Sequence, residues 1–162
     1  MLTKLERTEQ KWGGANRLID QWLDHRRKLL VQYCKIAGLP PYDQDKGTLP
    51  EVIQVKQFCD LLVDYVSEGH FEVYDQVVSA CEVHSQSSKE LAQKLVPHIS
   101  QTTDGALDFN DKYAENQAEE LLYDLDRDLG VLMHGMETRF QLEDEMLEVL
   151  FVNYADSITE PS

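Results

Sequence analysis

Hydrophobic side chains recur along most of this 162-residue chain at steps of three and four residues, which places them on one face of an α-helix. In the first long tract, Asn16 can cap a helix that runs to about Ala37 and closes at Gly38. The inward positions of this tract are Leu18, Ile19, Trp22, Leu23, Leu29, Leu30 and Tyr33. The pattern therefore predicts a long amphipathic helix.

Two further helices are predicted to meet at Gly69. Pro50 favours the start of the upstream helix, and Glu51 suits the positive end of the helix dipole. Gly69 suits the left-handed position that follows a helix, and a third helix is predicted over about 70–83. The inward positions of the upstream helix are Val52, Val55, Phe58, Cys59, Leu62, Tyr65 and Val66.

The second half of the chain predicts two more helical tracts. Ser87 or Ser88 can cap the first of them, which covers about 89–114. Pro97 interrupts this tract, and the sequence leaves open whether it kinks one helix or begins a fresh one. The last tract is predicted over about 116–155.

These tracts together predict the fold class. No stretch shows sustained strand alternation with turns at hairpin spacing. We therefore expect an all-α antiparallel helical bundle of four long helices with shorter helical segments. By its length the chain is one domain, residues 1–162, in which 1–13 form an arm or short helix and 156–162 a frayed tail.

Charge changes the picture, because the chain carries 30 acids and 15 bases, a net charge of −15. Residues 1–50 hold 9 bases and 6 acids, whereas 51–162 hold 6 bases and 24 acids, a local charge of −18. A nucleic-acid-binding protein needs the opposite sign, since its affinity comes from neutralising phosphates. The balance argues against direct nucleic-acid binding and favours a basic partner, although solubility alone would give the same composition.

The sequence offers little support for an enzyme, a cofactor or a metal site. The three cysteines are far apart and form no Cys-x-x-Cys pair. The Glu-x-His pairs at 68–70 and 82–84 lack the three-residue step that places two metal ligands on one helix face. The chain has no Gly-rich phosphate loop, and its apolar runs are too short to span a membrane. The N-terminus has no apolar signal core, so we expect a cytoplasmic protein.

The stretch 61–75 is the candidate interaction surface. At helical steps of three and four, its acids would form a line beside aromatic side chains, a combination that suits a protein-binding face. The acids are Asp64, Glu68, Glu72 and Asp75, and the aromatics are Tyr65, Phe71 and Tyr74. The alternative is an ordinary helix corner, with the aromatics in the core and the acids facing solvent.

Three segments of the chain resemble the Rsd/AlgQ family, the bacterial regulators of sigma factor. They are LVDYVSEGHF at 62–71, QWLDHRRKLLVQY at 21–33 and METRFQLEDE at 136–145. The segments agree with the family in order and spacing, and the resemblance extends over nearly the whole chain.

The resemblance implies an anti-sigma function: binding the C-terminal, −35-reading domain of the primary sigma factor, which hinders its joining polymerase core and the promoter. From the matching positions, the resemblance implies that Asp64 pairs with an arginine of sigma and that Phe71 is an apolar anchor beside it. Tyr65, Ser67 and His70 are further candidate contacts. Three other acids are inferred from charge alone, and one more aromatic from its place beside them: Glu68, Glu72, Asp75 and Tyr74.

A second set of charged residues is predicted to be structural. Glu143 falls on the apolar line of the last tract, where a carboxylate is rare unless it is paired. Arg139, four residues earlier, can form a local ion pair with it. We prefer a wider network that reaches Arg26 and Arg27 of the first helix, since both segments belong to the resemblance.

Two rival functions remain open. Some relatives are implicated in contacts with sugar-phosphotransferase carriers and alarmone-hydrolysing enzymes, which implies a metabolic adaptor. The other rival is a histidine phosphotransfer protein, because Lys28 follows His25 by three residues and could neutralise a phosphoryl group. No Gly follows Lys28 to expose the histidine, so an exposed His in a basic belt, Arg26-Arg27-Lys28, is the simpler interpretation.

Overall fold

A computed structural model describes residues 5–6, 17–39, 50–68, 86–115 and 119–159. Helices account for all of the regular secondary structure in these ranges, which confirms the all-α prediction. The four long helices are α1 (Arg17–Ala37), α2 (Val52–Glu68), α3 (Gln86–Tyr113) and α4 (Leu125–Thr159), and a 3₁₀-helix, Glu119–Asp124, precedes α4.

Neighbouring helices run antiparallel. Gln32 of α1 donates a hydrogen bond to the carbonyl of Gln54 at the start of α2, at 3.1 Å. Six residues earlier on α1, Arg26 contacts Tyr65, near the end of α2. Likewise, Lys112 near the end of α3 pairs with Asp128 near the start of α4, whereas Thr103, earlier on α3, contacts Arg139, later on α4. This arrangement brings the C-terminal end of α2 against the middle of α1.

Aromatic side chains from all four helices fill the centre of the bundle. Trp22 of α1 stacks on Tyr65 of α2, with 6.1 Å between ring centroids and 12° between planes. Phe58 meets Phe109 of α3 edge to face at 5.6 Å. Leu5, from the short helical piece before α1, is buried with them. Each such side chain contributes roughly 1.5–3 kcal/mol by leaving water.

The end of α1 follows the sequence prediction. Gly38 has φ = +66°, a left-handed conformation that strains any residue with a Cβ. The Leu39 amide donates to the Cys34 carbonyl at 3.0 Å, and the Gly38 amide donates to the Lys35 carbonyl at 3.4 Å. This pair of bonds is the Schellman arrangement, which satisfies carbonyls that the helix leaves open.

The start of α2 differs from the prediction by two residues. Glu51 caps the helix, because its carbonyl accepts from the amides of Gln54 at 3.0 Å and Val55 at 3.2 Å. The Glu51 amide in turn donates to Oε1 of the Gln54 side chain at 3.1 Å, which is half of a capping box. Pro50 therefore precedes the cap and does not form the first helical turn.

The start of α3 and the position of Pro97 within it were open or wrongly predicted from the sequence. The helix begins at Gln86, so Ser87 and Ser88 lie in its first turn and neither caps it. Pro97 lies inside one helix that continues to Tyr113, which rules out the alternative of a fresh helix. The missing amide of Pro97 removes one hydrogen bond without ending the helix.

The last helical tract begins later than predicted. Residues 119–124 form a 3₁₀-helix, and α-helical structure starts only at Leu125 and continues to Thr159. The predicted third helix over 70–83 and Gly69 lie outside the described residues. None of the described helices combines the length and the apolar character needed to cross a membrane.

Candidate partner-binding surface and the buried cluster beneath it

The described part of the candidate surface is the last two turns of α2. Asp64 and Ser67 are exposed there, and Glu68 is partly buried. The remaining candidates lie outside the described residues: His70, Phe71, Glu72, Tyr74 and Asp75. Asp64 is therefore the only exposed charged side chain among the described candidates.

Tyr65, the neighbour of Asp64, points into the core and not toward a partner. It has 0% exposure, and its hydroxyl accepts a hydrogen bond from Arg26 Nε at 2.9 Å. The same hydroxyl donates to Glu143 Oε1 at 2.7 Å. The expectation that Tyr65 makes a surface contact is corrected accordingly, because both its ring and its hydroxyl are engaged inside the bundle.

Arg26 also turns inward, as the predicted charge network between the first and last helices requires. Its guanidinium lies 4.9 Å from the centroid of Phe140 and 5.2 Å from that of Trp22. Its Nη1 donates to Asp144 Oδ1 at 2.8 Å, and its Nη2 lies 3.7 Å from Glu143 Oε1. Of the three basic residues, Lys28 remains exposed, and Arg27 is partly buried.

Arg139 of α4 joins α2, α3 and α4. Its Nη1 donates to the hydroxyls of Thr102 at 3.2 Å and Thr103 at 3.0 Å. Its Nη2 donates to the carbonyl of Val66 at 3.4 Å, one of the last four carbonyls of α2, which no helical amide can satisfy. The arginine thus caps the negative end of α2 with a buried positive charge.

We call Arg26, Tyr65, Arg139 and Glu143 the buried cluster. Glu143 lies between the two arginines, with Oε2 3.7 Å from Arg139 Nε and Oε1 3.7 Å from Arg26 Nη2. The structure therefore contains both the local Arg139–Glu143 pair and the connection to the first helix. Asp144, with 31% of its side chain exposed, adds a second negative charge at the edge. Two cations thus face two anions, the pairing that buried charges require.

The protonation states follow from these contacts. Burial opposes the charge of Arg26, yet the Tyr65 oxygen and the Glu143 and Asp144 carboxylates raise the pKa of Arg26 above its ordinary value. Burial raises the pKa of Tyr65 well above its ordinary value, and the bond to Glu143 acts in the same direction. Tyr65 therefore stays a neutral phenol that can donate to Glu143 while accepting from Arg26.

A second contact ties the end of α2 to α1. His25 Nδ1 forms a hydrogen bond with the Glu68 carboxylate, and the His25 side chain is 41% exposed. Lys28, the other residue of the phosphotransfer hypothesis, pairs with Asp24 on its own helix at 3.1 Å. A phosphoryl group at His25 would meet the Glu68 carboxylate, a like charge, so these contacts give that hypothesis no support.

The described residues show no site for a metal ion: no three His, Cys, Asp or Glu side chains are grouped to hold one. Cys59 is buried in the core, and burial raises the pKa of its thiol to about 12. A thiol in that state remains protonated at neutral pH and is a poor nucleophile and ligand.

Comparison with known proteins identifies relatives over most of the chain. The family described as "Regulator of RNA polymerase sigma(70) subunit, Rsd/AlgQ" matches residues 1–151. A protein named "Regulator of sigma D" from Yersinia pseudotuberculosis is 34% identical over 149 residues, which cover 91% of this chain and 88% of the relative. A protein of the same name from Enterobacter sp. is 33% identical over 154 residues, covering 94% of this chain and 92% of the relative.

Proposed function

The chain belongs to the Rsd/AlgQ family, and on that premise we propose that it is an anti-sigma regulator. It binds the primary sigma factor of RNA polymerase through sigma's C-terminal, −35-reading domain. While bound, it limits the association of sigma with polymerase core and with the promoter. It acts by occupying a surface, with no chemical step.

Charge makes this partner physically reasonable. A domain that reads the −35 element must contact DNA phosphates, and it therefore presents basic side chains. The part of this chain from residue 51 onward carries −18 and can meet that basic surface in place of DNA. Opposite charges of this size also accelerate association by steering the two proteins together.

The observation that carries the proposal is the fixed, exposed position of Asp64 on α2. The residues around it are held from the inside: Tyr65 by Arg26 and Glu143, Val66 by Arg139, and Glu68 by His25. Because the backbone of this helical turn is already fixed, Asp64 can meet a partner's cation with little loss of backbone entropy on binding. We propose that Asp64 pairs with a sigma arginine, that Phe71 fills a neighbouring apolar pocket, and that Ser67, Glu68, His70, Glu72, Tyr74 and Asp75 extend the contact.

The test is isothermal titration of variants against the full-length primary sigma factor. Asp64→Ala should weaken binding by about 2–5 kcal/mol, because the partner's cation is left desolvated and unpaired. Phe71→Ala should weaken it by a similar order if the ring is a central anchor. Asp60→Ala is the matched control, since Asp60 is an exposed acid one turn earlier on α2.

Thermal melts of the same variants separate binding from folding. Asp64→Ala should leave the melting temperature nearly unchanged, because the side chain is exposed. Asp60→Ala should lose only the long-range attraction, which salt screens. Wild-type affinity in a well-folded Asp64→Ala protein, or an equal loss in Asp60→Ala, would remove Asp64 from the site. Sigma lacking its C-terminal domain should not bind.

A further inference from the structure

A groove of about 670 Å³ runs between α3 and α4. Its lining is largely apolar and includes Phe109 of α3 and Val131, Leu132 and Leu142 of α4. Val131 is 71% exposed, a high value for an aliphatic side chain within a concave surface. Neither α1 nor α2, the helix that carries Asp64, contributes to the described lining.

Two glycines give this groove its depth. Gly105 lies midway along the α3 wall, and Gly135 lies midway along the α4 wall. A Cβ added at either glycine would meet nothing within 4 Å, so neither is needed for close packing of the helices. A glycine inside a helix costs about 1 kcal/mol relative to alanine, and here the space it leaves opens into the groove.

The length of the groove matches a helix. The lining extends from His98 to Lys112 on α3 and from Asp128 to Leu142 on α4. Each wall therefore rises about 21 Å, or four helical turns, at 1.5 Å per residue. An open apolar channel of this length suits the apolar face of one amphipathic helix better than a compact metabolite.

A row of acids follows α3 beside the groove, and one of them, Asp108, lines it. On α3, exposed acids follow each other at helical steps of four, three and four: Asp104, Asp108, Asp111 and Glu115. Among the described residues these acids form no ion pair, so neighbouring acids of the row repel one another. The charge is available to a partner from outside the chain.

The rest of the groove does not offset this charge. Lys112, which lies at one end, is already engaged by Asp128 at 2.6 Å and by Asp124 at 3.5 Å. Burial of Asp128 is outweighed by its bonds to Lys112 and Tyr113, which lower the pKa of that carboxyl. The charge of Lys112 at one end of the groove is therefore already neutralised by carboxylates, and the acids along α3 are left to attract a cation.

We propose that the groove between α3 and α4 is a second docking surface, which takes an amphipathic helix of a protein partner with Lys or Arg along one edge. The apolar face of that helix lies over the two glycines, and its basic edge lies against the acids of α3. The strong negative charge of this chain disfavours a second copy as the occupant. The inference goes beyond sigma regulation and does not depend on it.

A groove-filling variant tests the proposal with a defined probe. The probe is a fluorescein-labelled model peptide of Leu and Lys in amphipathic helical order, measured by fluorescence anisotropy with the full chain. Gly135→Leu should weaken binding about tenfold or more, because the new side chain occupies the groove. Gly130→Leu is the matched control: a Cβ at Gly130 of α4 would also meet nothing within 4 Å, but this exposed glycine does not line the groove. The control should bind as wild type.

Charge variants test the acidic row of α3 in the same assay. Asp104→Asn, Asp108→Asn and Asp111→Asn combined should weaken binding of the Lys peptide and flatten its dependence on salt. The matched control neutralises three exposed acids that belong neither to the groove lining nor to the acidic row of α3: Asp60, Glu120 and Asp126. Equal losses in the two triple variants would mean that only total charge attracts the peptide, and would overturn the proposed role of the row.

Two outcomes would overturn the docking surface itself. One is a Gly135→Leu protein that binds the peptide as tightly as the Gly130→Leu protein, or a wild type that does not bind it at all. The other concerns sigma: Gly135→Leu should leave the sigma affinity unchanged, and its loss would make the groove part of the sigma site. Failure of the sigma proposal alone, seen with Asp64→Ala, would leave the peptide result standing.

Discussion

Replacing Glu143 by glutamine should destabilise the protein more than any other single charge removal in the described helices. Glutamine keeps the size of the side chain and an oxygen that can accept from Tyr65, but it replaces the negative charge and the second carboxylate oxygen with a neutral NH2 group. Glu143 has 0% exposure, and it lies 3.7 Å from a guanidinium nitrogen of both Arg26 and Arg139. In the variant, Arg26 keeps its 2.8 Å bond to Asp144, and Arg139 keeps its bonds to the hydroxyls of Thr102 and Thr103.

The distances give the size of the effect. A pair of unit charges at about 4 Å is worth about 4 kcal/mol at an effective dielectric of 20, and Glu143 makes two such pairs. Neutralising the carboxylate also removes its own desolvation penalty of several kcal/mol. The net cost should be about 3–5 kcal/mol, the range observed when one partner of a buried pair is removed. For a chain of this size, that loss lowers the melting temperature by about 6–20 °C.

Urea unfolding followed by circular dichroism measures this cost, and Asp144→Asn is the matched comparison. Asp144 makes a 2.8 Å bond to Arg26, but 31% of its side chain is exposed. Water at this edge can therefore solvate the Arg26 nitrogen that loses its partner. Removal of the Asp144 charge should cost about 1 kcal/mol. Equal and small losses in both variants would mean that Arg26 and Arg139 do not depend on Glu143, and would refute the electrostatic account of the cluster.

Two further predictions concern the helix end and the response to pH. Gly38→Ala should destabilise by about 1 kcal/mol because its φ is +66°, whereas Gly130→Ala should stabilise by up to about 1 kcal/mol; urea midpoints compare them. Stability should fall as pH rises from about 9 toward 12, because the unfolded chain releases the protons of Cys59 and Tyr65 while the folded chain, with raised pKa values, retains them. Tyr65→Phe should make that decline shallower, and a stability independent of pH between 8 and 11 would contradict the account.

The fold was predictable because the apolar steps were regular. Buried residues such as Trp22 and Phe58 occupy the positions that periodicity assigns to an inner face. The Schellman end at Gly38 follows from local chemistry, since glycine is suited to the left-handed conformation. Local signals were wrong or undecided where they compete with packing. Ser87 resembles a cap but lies inside α3, and the alternatives left open at Pro97 are decided by a helix that packing against α4 maintains.

The site was predictable only in part, because its contacts join residues far apart in the chain. The position of Glu143 and Arg139 on the apolar face of their helix predicted a buried ion pair, and both side chains are buried. Nothing local marks Tyr65 as the bridge between Arg26 and Glu143, which are separated from it by 39 and 78 positions. Periodicity placed Tyr65 on the inner face of its helix, whereas the family resemblance offered it as a partner contact, and the structure agrees with the periodicity.

A buried cluster at this level of the bundle does more than fill space. Apolar side chains would pack there with less desolvation, so the polar contacts are better explained by the position that they enforce. If α2 moved by one turn, the Tyr65 hydroxyl would leave Arg26 and Glu143, and the Val66 carbonyl would leave Arg139, with buried charges left unpaired. The cluster therefore fixes the register of α2 against α1 and α4. Because Asp64 immediately precedes Tyr65, fixing that register also fixes where the acid is presented, which links core electrostatics to the proposed recognition of sigma.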